Sequence, residues 1–225
     1  MSVGFAPVLR LCVLALMALS GVVGCSTSSE MTLPGLADRV ELNGVPYFRG
    51  QAYQGAALAL ATLLANQGVV TTPGLLEKDL GLPADVAHVD RKIAPAARQY
   101  GMIVYPLEPR AEALLTQVSA GFPVLVRYQE GTGFWTGPRY AVLVGYDRYK
   151  QRVMLRSGDN RRLLLGFDDF SDRWRSAGSW AILVQTPAQL PAQVDRQRWL
   201  QAAEESARAG QEKAAAQASQ ALHGR

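Results

Sequence analysis

Residues 45–64 have the sequence VPYFRGQAYQGAALALATLL, and this stretch decides the fold. From residue 53 to residue 66 the chain consists mainly of Ala and Leu, and its only breaker is Gly55. That composition and length are typical of a buried helix, which we expect to end near Gly68. Residues 44–46, GVP, break the chain before it. The stretch therefore predicts a buried helix that begins after a break.

Helices dominate the first half of the chain and strands the second. Residues 83–100 and 110–120 carry apolar side chains at helical spacing, which predicts two more helices. The nearly all-apolar run at 140–146 predicts a central strand. All the predicted strands are 102–105, 123–128, 140–146, 153–156, 161–165 and 180–185. Helices followed by an antiparallel sheet indicate the α+β class.

The composition excludes several classes of protein. With 225 residues, 48% hydrophobic and 19% charged, the chain can bury a core and is not a disordered protein. Its two cysteines exclude a disulfide scaffold and a cysteine-ligated zinc module. The net charge is +4, from 23 basic and 19 acidic residues without a basic block, which argues against nucleic acid as a partner. We expect no metal and no cofactor.

The first 25 residues indicate export. Arg10 precedes an uncharged apolar run at 11–19, which is shorter than the ~20 residues of a membrane span and is typical of a signal peptide. Residues 22–25, VVGC, resemble the bacterial lipobox. The resemblance implies cleavage before Cys25, acylation of that cysteine and anchoring to the membrane by several acyl chains. The alternative is an ordinary secretory signal whose apolar region ends in a cysteine.

The lipobox resemblance divides the start of the chain. Residues 1–24 are predicted to be the signal peptide, and residues 25–43 the lipidated cysteine and a tether. Ser26 resembles the residue that sorts lipoproteins to the outer membrane, so we expect a lipid-anchored protein of the cell envelope that faces the periplasm. Because Cys12 would leave with the signal and Cys25 would be acylated, the mature chain would hold no free thiol.

A change of composition after Pro187 marks a C-terminal appendage, residues 187–225, which is rich in Ala and Gln. Residues 194–206 and 211–222 predict two short helices joined at Gly210. The pattern resembles one tetratricopeptide unit, of which about three are needed for a stable stack. Three roles remain open: a hairpin docked on the main domain, a docking element for a partner, or a plain helical tail. The residues that carry the resemblance are Trp199, Ala203, Gly210, Ala215 and Leu222.

Residues 44–186 resemble the C39-like cysteine peptidases, which include the double-glycine peptidases that trim bacteriocin leaders. Four stretches carry the resemblance in the family's order. They are residues 45–64, 118–126 (VSAGFPVLV), 139–147 (RYAVLVGYD) and 153–158 (VMLRSG). The resemblance implies a papain-like C39 peptidase fold, in which N-terminal helices pack on an antiparallel sheet.

The chemistry of that family needs a thiolate at a helix start, a histidine base on the facing strand and a glutamine for the oxyanion. The cysteine position falls on Gly55, and the histidine position falls on Arg139, which cannot act as a base. Gln51 is offset by one residue from the oxyanion position. The third position, Asp or Asn in the family, falls near 156–157, with Asp159 displaced from it. Neither His88 nor His223 is placed to substitute.

The resemblance therefore implies a catalytically inactive domain that binds a peptide or an envelope protein in the former substrate groove. The start of the helix would still bind a carbonyl or an anion, and Arg139 would add a positive patch for a carboxylate. One alternative is an active hydrolase with an unidentified nucleophile. Another is a structural lipoprotein whose groove is filled by its own loops. The predicted binding residues are Gln51, Tyr53, Gly55, Trp135 and Arg139.

Overall fold

The computed structural model describes residues 35–131 and 137–223. The signal peptide, Cys25 and Trp135 lie outside the described residues, so the predictions made for them stay predictions. None of the described helices combines the length and the apolar character that crossing a membrane requires.

Seven α-helices and seven strands form the described part of the chain, with short 3₁₀ turns at Ala52–Gln54 and Val86–His88. The helices are α1 (Gly55–Asn66), α2 (Pro73–Leu80), α3 (Asp90–Gln99), α4 (Ala111–Ser119), α5 (Phe167–Ser176), α6 (Arg196–Arg208) and α7 (Glu212–Ala221). The strands are β1 (Arg39–Glu41), β2 (Ile103–Pro106), β3 (Val124–Glu130), β4 (Gly137–Asp147), β5 (Arg152–Ser157), β6 (Asn160–Gly166) and β7 (Ala181–Gln185). The α+β class is confirmed.

One antiparallel sheet organises the molecule, in the order β2-β7-β3-β4-β5-β6, with β1 paired to the end of β4. Strand β4 is central and buried over most of its length, as the apolar run predicts. Helix α1 packs on it, and every residue from Gly55 to Leu64 is buried. Burial of each leucine contributes about 1.5–3 kcal/mol, so this helix is a main part of the core.

The domain begins earlier than the sequence analysis places it. Strand β1 lies within residues 25–43, the predicted tether, and pairs with β4 from Arg39 opposite Asp147 to Glu41 opposite Gly145. A Cβ at Gly145 would lie only 2.5 Å from the carbonyl oxygen of Val40, so glycine allows this close approach. The boundary at residue 44 is therefore too late, because a three-residue strand carries little periodic signal.

The predicted helix at 83–100 is wrong in its first half. Helix α3 begins only at Asp90, and helix α2, which lies before it, is absent from the predicted elements. The signals for α2 are present: Thr72 caps its start by accepting the Leu75 N–H at 3.4 Å, Pro73 occupies its first turn, and Gly81 ends it in the left-handed region. Eight residues are too few for a clear apolar period.

The C-terminal hairpin docks on the main domain. Helices α6 and α7 pack on each other and on β2. Trp199 is fully buried and donates its Nε1–H to the carbonyl of Ala218 at 2.7 Å, while its ring lies 6.1 Å from that of Tyr105. The Tyr105 hydroxyl accepts the backbone N–H of Asp195 at 3.1 Å. Of the three roles left open by the sequence, the structure shows docking within the same chain.

Candidate functional site

A cleft of about 650 Å³ opens where the start of α1 meets the first residues of β4. It brings together Gln51, Gly55 and Arg139, three of the five predicted binding residues, and Asp159 also lines it. Tyr53 is exposed and is not among its lining residues. The fifth predicted residue, Trp135, lies outside the described residues. Three of the predicted residues therefore line one cleft, and their role in binding stays a prediction.

Gly55 forms the floor of the cleft at the first residue of α1. Its backbone is ordinary right-handed helix, so the conformation does not demand glycine. A Cβ there would lie 3.4 Å from the carbonyl oxygen and 3.6 Å from the nitrogen of Tyr140, which is close to ordinary contact. A small side chain would therefore fit at this position. Because Gly55 has no side chain, none covers the backbone amides at this point of the helix start.

A glutamine pair shapes the turn that leads into α1. The backbone N–H of Gln51 donates to Oε1 of Gln54 at 2.6 Å, and Nε2 of Gln54 donates to Glu77 on α2 at 2.7 Å. Gln54 is thus fixed from two sides, whereas the Gln51 side chain is exposed at the cleft. Helix α2, which the sequence analysis missed, positions this edge of the site.

Arg139 does not offer the unopposed positive patch that the sequence analysis expects. Its Nε donates to Oε2 of Glu130 at 3.0 Å across the β3–β4 pair. Both side chains are partly exposed, so the pair contributes only about 0–1 kcal/mol and can open for a ligand. Arg49 and Asp159 supply one further charge of each sign, so the cleft carries balanced charge. Such a lining suits an uncharged polar chain better than a carboxylate.

Behind the cleft, a buried tyrosine contacts the hydroxyl of Ser157. The Tyr128 hydroxyl lies 2.9 Å from Ser157 Oγ and donates to Glu130 at 3.3 Å. Burial raises the pKa of Tyr128 to about 12, with Glu130 acting in the same direction. At neutral pH this phenol therefore keeps its proton and cannot accept one from Ser157. Ser157 therefore offers a hydrogen-bonding hydroxyl in the cleft, and Tyr128 cannot act as its base.

We predict that replacing Tyr128 by Phe flattens the alkaline limb of the stability profile. The folded state favours the neutral phenol, so its contribution is complete below pH 10, the usual pKa, and is lost as the pH rises towards about 12. Wild type should lose up to about 1.4 kcal/mol of unfolding free energy per pH unit more than the variant there. Denaturant unfolding at pH 9 and pH 11 measures this. Equal slopes would contradict it.

Arg156, near the expected third catalytic position, is not among the residues that line the cleft, and it holds the segment that precedes α1. It is buried, its Nη1 donates to the carbonyl of Pro46 at 2.6 Å, and its Nη2 donates to that of Leu42 at 3.3 Å. Desolvation lowers the pKa of its guanidinium. The neighbouring turn adds a bond from the Tyr47 hydroxyl to the Gly158 carbonyl at 3.1 Å. The signal in the sequence is an arginine that directly follows three apolar residues, 153–155.

The remaining polar candidates lie away from the cleft. His88 and His223 are both exposed, and neither belongs to the cleft lining. Over residues 35–131 and 137–223, no group of three or more His, Cys, Asp or Glu residues is placed to hold a metal ion. The acidic run at 168–172 forms the exposed start of α5, where Asp169 pairs with Arg173 at 2.6 Å. These groups offer no alternative centre of chemistry.

Comparisons with known proteins give structural similarities only. No protein-family model matches the chain, and no curated protein matches it. A candidate C39-like peptidase from Bacillus anthracis is 18% identical with a TM-score of 0.49, covering 66% of this chain and 98% of its own. A double-glycine motif protease from an AMS/PCAT transporter, solved with the leader peptide, is 19% identical with a TM-score of 0.48, covering 62% and 90%.

Xylellain, a cysteine protease from Xylella fastidiosa, is 12% identical with a TM-score of 0.42, covering 67% of this chain and 86% of its own. All three similar structures are described as peptidases or proteases. At this identity and these TM-scores, the similarities carry no conclusion about the activity of this chain. Its site is defined by its own residues: a bare helix start at Gly55, facing Arg139 across an open cleft.

Proposed function

We propose that this chain is a lipid-anchored protein of the cell envelope whose α+β domain binds an extended peptide segment without cleaving it. The segment would come from a free peptide or from an envelope protein that faces the periplasm. The anchor would be the acylated Cys25, and the cleft at Gly55 and Arg139 would be the binding site.

One observation carries the proposal. Gly55 and Arg139 both line a cleft of about 650 Å³, and they are the positions that the resemblance to the C39-like peptidases assigns to the nucleophile and to the base. A glycine has no side chain to attack a carbonyl, and an arginine keeps its proton throughout the physiological range. What remains are groups that bind: the amides at the helix start and the side chains of the walls.

The chemistry of the walls favours an uncharged polar chain. Both donors and acceptors line the cleft, among them Gln51, Asn160, Glu130 and Asp159, and its positive and negative side chains balance. An extended peptide presents N–H and C=O groups in alternation, which such walls can pair. A strongly charged ligand would instead be repelled by the wall side chains that carry the same sign of charge. This argument supports a peptide backbone as the recognised group.

A side chain introduced at Gly55 should block binding. We expect Gly55→Leu to weaken peptide binding at least tenfold, because its side chain would occupy the floor of the cleft. Peptides of 12 residues, selected on the wild-type protein from a random displayed library and then labelled with a fluorophore, serve as probes. Fluorescence anisotropy gives the dissociation constants.

Gly74→Leu is the matched control, because a Cβ at Gly74, on α2, meets no atom within 4 Å. It should bind the probes as wild type does. Peptides that bind the Gly55→Leu variant and wild type equally would contradict the assignment of the cleft. Selection of no peptide at all would contradict the proposed function itself.

The proposed anchor has a separate test. In a bacterial host that processes lipoproteins, the wild-type chain should incorporate a labelled fatty acid and sediment with the outer membrane. Cys25→Ala should abolish the label, because Cys25 is the only cysteine in the lipobox-like stretch. Cys12→Ala is the control and should keep the label. Labelling that survives Cys25→Ala would contradict the anchor.

A further inference from the structure

A basic face surrounds the turn between β4 and β5. We define this basic face by Arg39, Tyr149, Lys150, Arg152 and Arg162. Tyr149 stands at the tip of the turn with 80% of its surface exposed, an unusual position for an aromatic side chain. Basic side chains flank it in the sequence Arg148–Tyr149–Lys150. Tyrosine is enriched at membrane–water interfaces, and anionic lipid surfaces attract Lys and Arg.

A pocket of about 180 Å³ lies between the four cations of the basic face. Arg39 is opposite Asp147 and Asp147 is opposite Arg152 in the sheet register, so these side chains share one face of three strands. Asp147 is only 7% exposed and accepts the backbone N–H of Lys150 at 3.0 Å. The exposed side chains that line the pocket are therefore mainly basic.

The cations of this face outnumber the carboxylates that pair with them. Glu41 accepts both Nε and Nη2 of Arg162, at 2.9 and 3.1 Å, and also pairs with Arg39 at 3.6 Å. Within the described part of the chain, no carboxylate lies within 4.0 Å of the charged groups of Lys150 or Arg152. Two positive charges beside a pocket of this size are therefore available to an anionic group such as a phosphate.

The chain enters the domain at the same turn. The Tyr146 hydroxyl donates to the carbonyl of Ala37 at 2.9 Å, the Arg148 N–H donates to that of Asp38 at 2.9 Å, and the Tyr149 hydroxyl donates to the Asp38 carboxylate at 2.9 Å. Cys25 precedes Gly35 by ten residues, which span at most about 35 Å in any conformation. An anchor at Cys25 would therefore keep this end of the domain near the bilayer.

We propose that the basic face binds the surface of an anionic phospholipid bilayer, with headgroup phosphates at the pocket and Tyr149 at the level of the headgroups. This proposal rests on the lipid anchor of the proposed function, which keeps this end of the domain near the bilayer, and it does not depend on the identity of the peptide ligand. Attraction to an anionic surface contributes about 1 kcal/mol for each nearby Lys or Arg. The contact therefore adds orientation to an anchor that by itself leaves the domain free to rotate.

This contact would turn the cleft away from the membrane. Arg139, in the cleft, and Asp147, beside the basic face, lie on the same strand, β4, eight residues apart. At about 3.4 Å per residue, about 27 Å separates the two ends. With the basic face on the bilayer, the cleft opens at the far end of the strand, where a periplasmic peptide can reach it.

Binding of the full chain to vesicles tests the proposal. Wild type is compared on phosphatidylcholine vesicles and on vesicles with 30% phosphatidylglycerol, at low salt, by co-sedimentation. We expect Lys150→Gln/Arg152→Gln to lose about 30-fold in affinity on the anionic vesicles and nothing on the neutral ones. The N-terminal segment is the same in wild type and in the double variant, so the difference in affinity between these two proteins on the anionic vesicles measures the contribution of Lys150 and Arg152.

Arg91→Gln/Lys213→Gln is the matched control, since it removes two exposed charges from α3 and α7. It should keep the preference for anionic vesicles. The exposed single variant Lys150→Glu should lose the preference as well, which separates the charge effect from any loss of folding in the double variant. Equal binding of wild type to both vesicles, or equal losses in the two double variants, would overturn the proposal.

Inorganic phosphate distinguishes the two sources of the anion. At 10 mM phosphate and constant ionic strength, we expect the protein to remain on the anionic vesicles. Release by phosphate would show a site for the free ion and would overturn the bilayer contact. Gly55→Leu should bind vesicles as wild type does, so failure of peptide binding and failure of membrane binding are seen in separate measurements.

Discussion

The Gly55→Cys/Arg139→His variant is expected to cleave peptides that the wild-type domain leaves intact. A thiol at residue 55 would sit at the start of α1, where the backbone amides lower its pKa. The space is available, since the nearest atom to a Cβ there is the Tyr140 carbonyl oxygen at 3.4 Å. Residue 139, which directly precedes Tyr140 on β4, would then carry the base.

Glu130 strengthens this expectation. It already accepts a hydrogen bond from the side chain of residue 139 at 3.0 Å, so it can accept one from the new imidazole and orient the ring towards the thiol. A positioned base raises the rate by about 10²–10⁴-fold over the thiol alone. Release of a fluorophore from the selected peptides measures the gain, and iodoacetamide should abolish it.

Two controls isolate the geometry. Gly55→Cys alone should be slower by the contribution of the base, and Gly74→Cys/Arg139→His should be inactive because its thiol lies on α2 outside the cleft. If the double variant folds, binds peptide and still does not cleave, the assignment of residues 55 and 139 to the nucleophile and base positions is wrong. Equal activity with the thiol at residue 74 would contradict it too.

Trp199→Ala is expected to destabilise the domain by about 3–5 kcal/mol, because it deletes a large, fully buried side chain. It also removes the hydrogen bond to the Ala218 carbonyl and the ring contact with Tyr105. These contacts join α6 to α7 and to β2. The hairpin and the sheet should therefore lose stability together in one unfolding transition.

Leu200→Ala provides the comparison, since Leu200 is the next residue on α6 but is 36% exposed. It should cost less than about 1 kcal/mol. Denaturant unfolding followed by tryptophan fluorescence and by circular dichroism measures both variants. A loss for Trp199→Ala no greater than for Leu200→Ala, or early unfolding of the hairpin in wild type, would show that the hairpin is a loosely attached tail.

The sequence predicts the elements with long or strongly apolar patterns. Helix α1 and the buried core of β4 lie where the Ala/Leu-rich stretch and the apolar run predict them. Their signals are local, because a dozen consecutive residues share one environment. The positions of Gly55 and Arg139 in one cleft also follow from the sequence, through the order of the stretches that resemble the C39-like peptidases.

The features that the sequence misses depend on contacts between distant residues or on very short elements. Strand β1 has three residues, and its place is set by pairing with residues more than 100 positions later. The pairing of Arg139 with Glu130 depends on the register of β3 and β4, which no local pattern specifies. The clamp by Arg156 likewise acts on carbonyl groups 110 and 114 residues earlier.

The central claim is that the cleft holds a peptide and leaves it whole. Wild-type protein incubated for a day with a selected peptide, followed by mass spectrometry of both partners, tests this most directly. We predict that the peptide is recovered at its full mass from the wild type and that Gly55→Leu retains at least tenfold less of it. Fragments that accumulate with wild type above the buffer control, and that persist after thiol blocking, would contradict the claim.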